Sequence, residues 1–174
     1  MDLKDFKVFI SEEQIEKRLS ELAKEIEKDY EGKEITVICV MRGACFFTVN
    51  LTLKIKNPIK FEFIQLSSYE DKTESSGKVR IVSDLRNSIE GKDVLIIEDI
   101  IDTGRTMDFL VKYLKHKNPN SIKICTLADK PERRVVEVDA DYIGFTVPNK
   151  FIIGYGFDYD NKYRNLPYIA CLDE

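Results

Sequence analysis

The segment from Asp93 to Thr106 constrains the fold of this 174-residue chain more than any other part of the sequence. It begins with Asp93-Val-Leu-Ile-Ile97, an apolar, β-branched run of the kind that forms a strand buried on both faces. Two adjacent carboxylates, Glu98 and Asp99, follow this run. Asp102-Thr-Gly-Arg-Thr106 then leads into residues with the apolar spacing of a helix. The segment therefore predicts a buried strand, a tight turn and a helix in succession.

The start of that predicted helix offers a site for a phosphate group. The unpaired amides of a first helical turn, its positive dipole end and the two threonine hydroxyls of the turn together favour an anion. The pattern is not the Walker loop, so it does not indicate an ATPase. The carboxylates of Glu98 and Asp99 accept hydrogen bonds from vicinal sugar hydroxyls and also bind magnesium. These neighbouring features fit a ribose phosphate, although an acidic turn that only caps a helix is the alternative.

The rest of the chain alternates predicted helices with predicted strands. Ser11 to Tyr30 has helical spacing, and Ser11 with Gln14 forms a capping box. Further helices are predicted from about Cys45 to Ile55 and from Met107 onward. Such alternation predicts an α/β fold with a parallel sheet that binds ligands at the carboxyl ends of its strands. The remaining predicted strands are Glu34–Val40, Lys60–Leu66, Ser121–Leu127 and Tyr142–Val147.

One polar stretch, Ser67 to Gly77, has almost no apolar residue to anchor it. It predicts either a mobile loop or a lid over a site.

Composition excludes several classes of protein. The net charge of −4 argues against broad binding to nucleic acid, which depends on basic surface. No apolar run approaches the roughly 20 residues that cross a membrane, and Met1–Asp5 is charged, so we expect a cytoplasmic protein without membrane contact. The four cysteines have no metal-finger spacing. His116, the only histidine, is expected near the end of a helix rather than in a catalytic triad.

The run from Val94 to Thr106 resembles the phosphoribosyl pyrophosphate signature of the type I phosphoribosyltransferases. Five further motifs resemble, in the same order, the hypoxanthine–guanine branch of that family: Val40-Met-Arg-Gly43, Ser68-Tyr69, Asp129-Lys-Pro-Glu-Arg-Arg134, Val147-Pro-Asn-Lys-Phe-Ile-Ile-Gly-Tyr-Gly-Phe-Asp-Tyr159 and Tyr163-Arg-Asn-Leu-Pro167. The resemblance covers essentially the whole chain. It implies a Rossmann-like parallel core flanked by helices, with a small hood built from the N-terminal segment and about residues 148–174. It also implies a single domain over residues 1–174.

The resemblance implies purine salvage, in which hypoxanthine or guanine displaces pyrophosphate from phosphoribosyl pyrophosphate to give IMP or GMP. Asp102 would be the general base, although it could act only as a helix N-cap. Glu98 and Asp99 would hold the ribose hydroxyls directly or through Mg²⁺. The 5′-phosphate would be bound by Thr103, Gly104, Arg105 and Thr106, where Arg105 replaces the lysine of many relatives.

Pyrophosphate would contact Met41, Arg42, Gly43 and Arg164. The Met41–Arg42 peptide bond is expected to be cis, as in the family, where lysine is common at the position of Arg42. Asp158 would anchor a second Mg²⁺ ion. The alternative for Arg164 is an ordinary surface cation.

The purine would be bound by Lys130, Phe151, Ile152 and Asp158. The Lys130 ammonium group only donates hydrogen bonds, so it would accept a 6-oxo group and reject adenine. Phe151 would stack on the purine ring, or else belong to the core. Ser68 and Tyr69 would belong to a lid that excludes water.

Two other functions are compatible with the sequence. One is a transcription or RNA regulator built on the same fold. The other is a phosphoribosyltransferase for another base, such as uracil or xanthine. For the enzyme, the resemblance implies small-molecule substrates and a homodimer or homotetramer.

Overall fold

A computed structural model of the chain describes residues 6–71 and 74–172, with the side chains of residues 68–78 left out of the description. Within these residues, strands and helices alternate in the central part of the chain. The elements are β1 (Phe6–Ile10), α1 (Glu12–Asp29), β2 (Ile35–Met41), α2 (Cys45–Thr52), β3 (Ile59–Asp71), β4 (Glu74–Ser83), β5 (Asp93–Ile101), α3 (Arg105–Lys115), β6 (Ser121–Asp129), β7 (Tyr142–Thr146), β8 (Ile152–Ile153) and β9 (Ile169–Leu172).

The larger sheet has the strand order β4-β3-β2-β5-β6-β7, and only β4 pairs antiparallel. Helices α1 and α2 pack on one face of this sheet, against Val37 and Leu95, while α3 packs on the other, against Ile38 and Ile96. Because successive residues of a strand point to opposite faces, a strand covered on both sides must be apolar throughout. This explains the continuous apolar runs of β2 and β5, and it confirms the predicted α/β class.

Helix α1 has the ends that its sequence predicts. Ser11 is the N-cap, and both hydrogen bonds of its capping box with Gln14 are present. The helix is fixed to the edge of the sheet by Arg18, whose guanidinium donates to the Ile143 and Gly144 carbonyl oxygens of β7 at 2.7–3.2 Å. These bonds satisfy carbonyl groups that an edge strand would otherwise leave unpaired.

A second, three-stranded sheet has the order β1-β9-β8 and is antiparallel throughout. It joins the two ends of the described chain, since Phe6 lies opposite Leu172. One side of it packs through Ile152, Ile169 and Cys171 into the core that contains α1 and α2. The other side packs through Phe6, Ile153 and Ala170 into a smaller cluster. This sheet is the hood that the family resemblance implied, although no strand in it was predicted from the residue pattern. Among the described residues, no helix is both long and apolar enough to cross a membrane.

The polar stretch from Ser67 to Gly77 differs from an irregular loop. Its described backbone continues β3 and β4 as an antiparallel ribbon, with Ser67 opposite Arg80. A two-stranded ladder satisfies backbone donors and acceptors whatever the side chains are, which is why the polar sequence did not indicate it. The predicted lid residues, Ser68 and Tyr69, have side chains outside the described part of the chain, so the lid stays a prediction.

Candidate active site

The carboxyl ends of three neighbouring parallel strands form the candidate site. Cys39 of β2 lies opposite Ile97 of β5, and Ile101 of β5 lies opposite Asp129 of β6. The segments that leave these strands therefore meet at one edge of the sheet. The segments that leave β2 and β5, together with Leu66 of β3 and two residues after β8, enclose a cavity of about 440 Å³. Its lining residues are Val40, Met41, Arg42, Gly43, Leu66, Glu98, Asp99, Ile100, Ile101, Asp102, Thr103, Gly104, Thr106, Met107, Asp158 and Arg164.

Glu98 and Asp99 form a carboxylate pair near the carboxyl end of β5. The Asp99 amide donates to Glu98 Oε1 at 3.1 Å, and the Ile100 amide donates to Asp99 Oδ1 at 2.8 Å. Burial, together with the adjacent Asp99 charge, raises the pKa of Glu98 well above its ordinary value. Burial also raises the pKa of Asp99, against hydrogen bonds and the Arg164 charge that lower it. Glu98 is buried and Asp99 is half-buried beside it. Since neighbouring carboxylates of this kind resist ionising together, the pair favours a bound cation or hydrogen-bond donors.

The turn after β5 delivers the chain into α3. Gly104 is the N-cap at φ 84°, a backbone conformation that favours glycine. A Cβ atom at Gly104 would come within 2.3 Å of the Val136 carbonyl oxygen. Asp102 is not the N-cap of α3, and that cap has no side-chain hydrogen bond. The structure therefore contradicts the alternative in which Asp102 serves only to cap the helix.

The segment after β2 reaches the carboxylate pair directly. The Met41–Arg42 peptide bond is cis, as predicted. The next residue, Gly43, is buried so tightly that an added Cβ atom would lie 1.7 Å from Asp99 Oδ2. Only a residue without a side chain fits at this position beside the carboxylate pair.

Arg164 and Asp158 form the opposite wall of the cavity. Arg164 Nη2 lies 2.7 Å from Asp158 Oδ1, and Arg164 Nη1 donates to the Gly156 carbonyl oxygen at 2.6 Å. The other Asp158 oxygen accepts from the Asn161 amide at 2.8 Å. Arg164 is therefore held in the site and is not the free surface cation of the alternative interpretation.

Lys130 and Phe151 lie beyond this cavity lining, where β6 ends and the hood begins. Lys130 is buried, and its Nζ donates to the Lys150 carbonyl oxygen at 2.6 Å. Burial lowers the pKa of Lys130, and the Asp102 charge partly opposes that effect. Phe151 is 47% exposed, with its ring centroid 5.9 Å from that of Tyr159 in an edge-on contact. Phe151 is thus an exposed aromatic face rather than a core residue.

Known proteins share this architecture. Residues 10–160 match the family model described as the phosphoribosyl transferase domain. The chain belongs to this family. The hypoxanthine-guanine phosphoribosyltransferase of Streptococcus thermophilus is 48% identical over 168 residues, which cover 97% of this chain and 93% of that protein. The bifunctional protein TilS/HprT of Listeria monocytogenes is also 48% identical, but the chain spans only 26% of its length.

Solved phosphoribosyltransferase structures agree with the fold. A hypoxanthine-guanine phosphoribosyltransferase from Bacillus anthracis has a TM-score of 0.92 at 47% identity, covering 96% of this chain and 98% of that chain. A hypoxanthine phosphoribosyltransferase from Staphylococcus aureus has a TM-score of 0.93 at 42% identity, covering 98% and 93% of the two chains.

The phosphoribosyltransferase fold brings most of the predicted site residues to one cavity, but not all of them. Arg105, Lys130, Phe151 and Ile152 do not line it. Ile152 is buried in β8, a strand of the hood itself.

Sequence reasoning missed two arginines that contact Asp102. The Arg134 guanidinium donates to the Asp102 carbonyl oxygen at 3.1 Å and also bonds to the buried carboxylate of Asp129. Arg133 Nε lies 3.0 Å from Asp102 Oδ1. Both belong to the Asp129–Arg134 motif, to which the family resemblance assigns no contact with Asp102. The signal that could have found them is a pair of consecutive arginines directly after a strand that ends beside an acidic turn.

Proposed function

We propose that this protein transfers the 5-phosphoribosyl group from phosphoribosyl pyrophosphate to hypoxanthine or guanine, giving IMP or GMP and pyrophosphate. The observation that carries the proposal is one cavity in which the carboxylate pair of Glu98 and Asp99 adjoins the glycine turn that opens α3. A diol site beside a phosphate site fits a ribose phosphate. Relatives bearing the name hypoxanthine-guanine phosphoribosyltransferase, at 44–48% identity over nearly the whole chain, support the base.

The phosphoribosyl group would be held by two neighbouring segments. The backbone amides and hydroxyls of residues 103–106 would bind the 5′-phosphate at the positive end of α3. Glu98 and Asp99 would accept hydrogen bonds from the ribose hydroxyls. We propose that residues 1–174 act as one domain, with the hood closing over the base.

Magnesium fits the carboxylate pair chemically, since Mg²⁺ takes oxygen ligands. The pKa of both carboxyl groups is raised by loss of solvent, and a bound cation would favour their charged forms. Among residues 6–71 and 74–172, no three Asp, Glu, His or Cys side chains form a ready metal cage. Substrate oxygens and water would therefore complete the ligand set, as is common for Mg²⁺. Asp158 would hold a second ion in competition with Arg164. When bound, Mg²⁺ would neutralise part of the negative charge of pyrophosphate.

Departure of pyrophosphate needs fixed positive charge and donors on the side opposite the base. Arg164 supplies a guanidinium that is already held by the Gly156 carbonyl oxygen and Asp158. The segment Met41 to Gly43 supplies backbone groups and the Arg42 cation. Such groups, fixed before the reaction, stabilise charge that develops in the transition state.

The base would lie between Lys130 and Phe151. A buried ammonium group that donates to a carbonyl oxygen at 2.6 Å is suited to donate to a purine 6-oxo group, and it disfavours the 6-amino group of adenine. The exposed ring of Phe151 would stack on the purine, while the backbone of Ile152 and Asp158 would address its other edge. Asp102 would take the proton that the purine loses. We further propose that Ser68 and Tyr69 exclude water as part of a lid.

Turnover of a panel of bases tests this proposal. We expect hypoxanthine and guanine, but not adenine or uracil, to be converted with phosphoribosyl pyrophosphate and Mg²⁺, followed by ultraviolet absorbance. Lys130→Met should reduce oxopurine turnover by on the order of 10²-fold or more, because an unpaired polar group on the substrate is costly to bury. Val8→Glu, an exposed change on β1, is the matched control. A folded protein that binds phosphoribosyl pyrophosphate but converts no base would favour the regulator, and RNA binding with a steep salt dependence would identify it.

An exposed apolar face supports self-association. The stripe on α2 formed by Phe46, Val49 and Leu53 is 42–80% exposed. Phe61 and Phe63 of β3 are 46% and 52% exposed, with their rings stacked at a centroid distance of 6.5 Å. Ile64 packs on the α3 side, so these two rings point to the face that carries α2. Exposed apolar surface on one face of the sheet marks interaction sites, and we propose a homodimer or homotetramer formed through it.

Charge placed in this face should break the assembly. We expect the wild type to sediment as an oligomer, and Leu53→Glu combined with Phe63→Glu to sediment as a monomer, because two unpaired charges would be buried at the interface. Sedimentation velocity over a concentration series measures this, with Val8→Glu as the control. A monomeric wild type contradicts self-association, and an unchanged oligomer in the double variant contradicts this face.

A further inference from the structure

The side chain of Arg133 reaches back over the proposed general base. Arg133 Nε lies 3.0 Å from Asp102 Oδ1, and the Arg133 and Asp102 side chains are 46% and 34% exposed. Asp102 Oδ1 is itself buried and accepts no hydrogen bond within the described part of the chain. The contact is therefore an ion pair without hydrogen-bond alignment. Because Oδ1 is buried, the oxygen of Asp102 that remains accessible to a ligand is Oδ2.

The backbone that carries Arg133 is fixed to the turn that carries Asp102. Arg133 closes a short 3-10 turn that begins at Pro131. Before this turn, the Lys130 amide donates to the Ile101 carbonyl oxygen at 3.0 Å. After it, the Val135 and Val136 amides donate to the Thr103 carbonyl oxygen at 2.9 and 3.0 Å. The two segments thus form one unit with Arg133 above the carboxylate.

Arg134 and Arg133 contact different parts of Asp102. Arg134 donates to the backbone carbonyl oxygen of Asp102, so it fixes the main chain of the turn. The Arg133 side chain instead pairs with the carboxylate, so it sets where the Asp102 side chain lies. Arginine suits this task because its guanidinium is planar and carries a charge at every physiological pH. A general base needs such support, since a carboxylate misplaced by an ångström loses much of its effect.

We propose that Arg133 is a positioning residue, which pairs with Asp102 Oδ1 and so presents Oδ2 to the purine nitrogen that loses its proton. This inference rests on the proposed function, because it assigns Arg133 a part in that same reaction. Arg133 acts through Asp102 and does not itself contact the reacting atoms. Removing it should slow proton transfer without weakening the binding of phosphoribosyl pyrophosphate.

A double-mutant cycle tests the assignment. Arg133→Gln should lower kcat for hypoxanthine on the order of ten- to a hundredfold, with the KM for phosphoribosyl pyrophosphate within about twofold of wild type. In the Asp102→Asn background, the same change should lower kcat by less than about twofold, because the group it positions is already lost. Arg133→Lys, which keeps the charge, should recover part of kcat. Glu132→Gln, an exposed change in the same turn, is the matched control and should leave kcat unchanged.

Each other result overturns the assignment. An unchanged kcat in Arg133→Gln shows that Asp102 needs no partner. Equal losses of kcat in both backgrounds show that Arg133 acts independently of Asp102. A kcat above wild type shows that the ion pair obstructs the base instead of positioning it. If Arg133→Gln does not fold, Arg133→Lys is measured against Asp102→Asn in the same way. Absence of turnover by the wild type removes this inference together with the proposed function, whereas normal turnover with an unaffected Arg133→Gln removes this inference alone.

Discussion

Asp102→Asn should lower kcat for hypoxanthine by about 10²- to 10⁴-fold, the range that a positioned general base contributes. Asparagine keeps the shape of the side chain but cannot take a proton. The reverse reaction, from IMP and pyrophosphate, should slow by a similar factor, since the group that removes a proton in one direction must return it in the other. Single-turnover absorbance measurements in both directions separate this effect from product release.

Asp108→Asn is the matched control for this change. Asp108 lies on α3, where it pairs with Lys112 at 2.8 Å, outside the cavity lining. It should retain wild-type kcat and lose only the small stabilisation of an exposed ion pair. If Asp102→Asn keeps more than about a tenth of kcat while Lys130→Met still loses turnover, then Asp102 is not the general base.

Gly43→Ala should abolish both turnover and tight binding of phosphoribosyl pyrophosphate. The added Cβ atom would lie 1.7 Å from Asp99 Oδ2, so either the Met41–Gly43 segment or the Asp99 carboxylate must move. The Gly43 backbone also cannot move away from Asp99 toward Gly156, because these two glycines are already in close contact. A Cβ atom on Gly156 would come within 2.0 Å of the Gly43 carbonyl oxygen. A displacement of this size at a ribose-binding carboxylate should cost more than about 10²-fold in kcat/KM.

Calorimetric titration with phosphoribosyl pyrophosphate and Mg²⁺ measures the binding part of this expectation. Gly32→Ala is the control, since no atom lies within 4 Å of a Cβ placed there, although its φ of +71° makes alanine strained. It should lower thermal stability and leave kcat/KM intact. A Gly43→Ala protein with normal affinity and turnover would show that this backbone moves freely and has no part in the site.

Helices and buried strands were predictable because their signals are local. The capping box of Ser11 and Gln14 marks the start of α1, and the uninterrupted apolar runs mark β2 and β5. Strands β1 and β9 were not predictable from the pattern. Val8 and Phe9 of β1 are exposed, so the strand shows no alternation, and its hydrogen-bond partner lies at the far end of the sequence.

The site was predictable as a set of segments but not as a set of contacts. Both Met41–Gly43 and Asp102–Thr106 were expected to leave strands at the carboxyl edge of a sheet. That β2 lies directly beside β5, which brings Gly43 against Asp99, depends on strand order, and no local pattern encodes strand order. The contact of Arg133 with Asp102 depends in addition on the direction of a side chain in a short 3-10 turn.

The position of β9 at the centre of the hood has a consequence for how the chain assembles. Both β1 and β8 depend on β9 for their ladder hydrogen bonds, and Phe6 reaches its partner Leu172 only across almost the full sequence. Pairings between such distant residues form late, because the entropy of closing a long loop is lost before the stabilising contacts form. During synthesis the strands of the parallel sheet can pair as they emerge, whereas the hood can form only after Ile169–Leu172 has left the ribosome. The hood side of the proposed base site, which contains Phe151 and Ile152, is thus completed last.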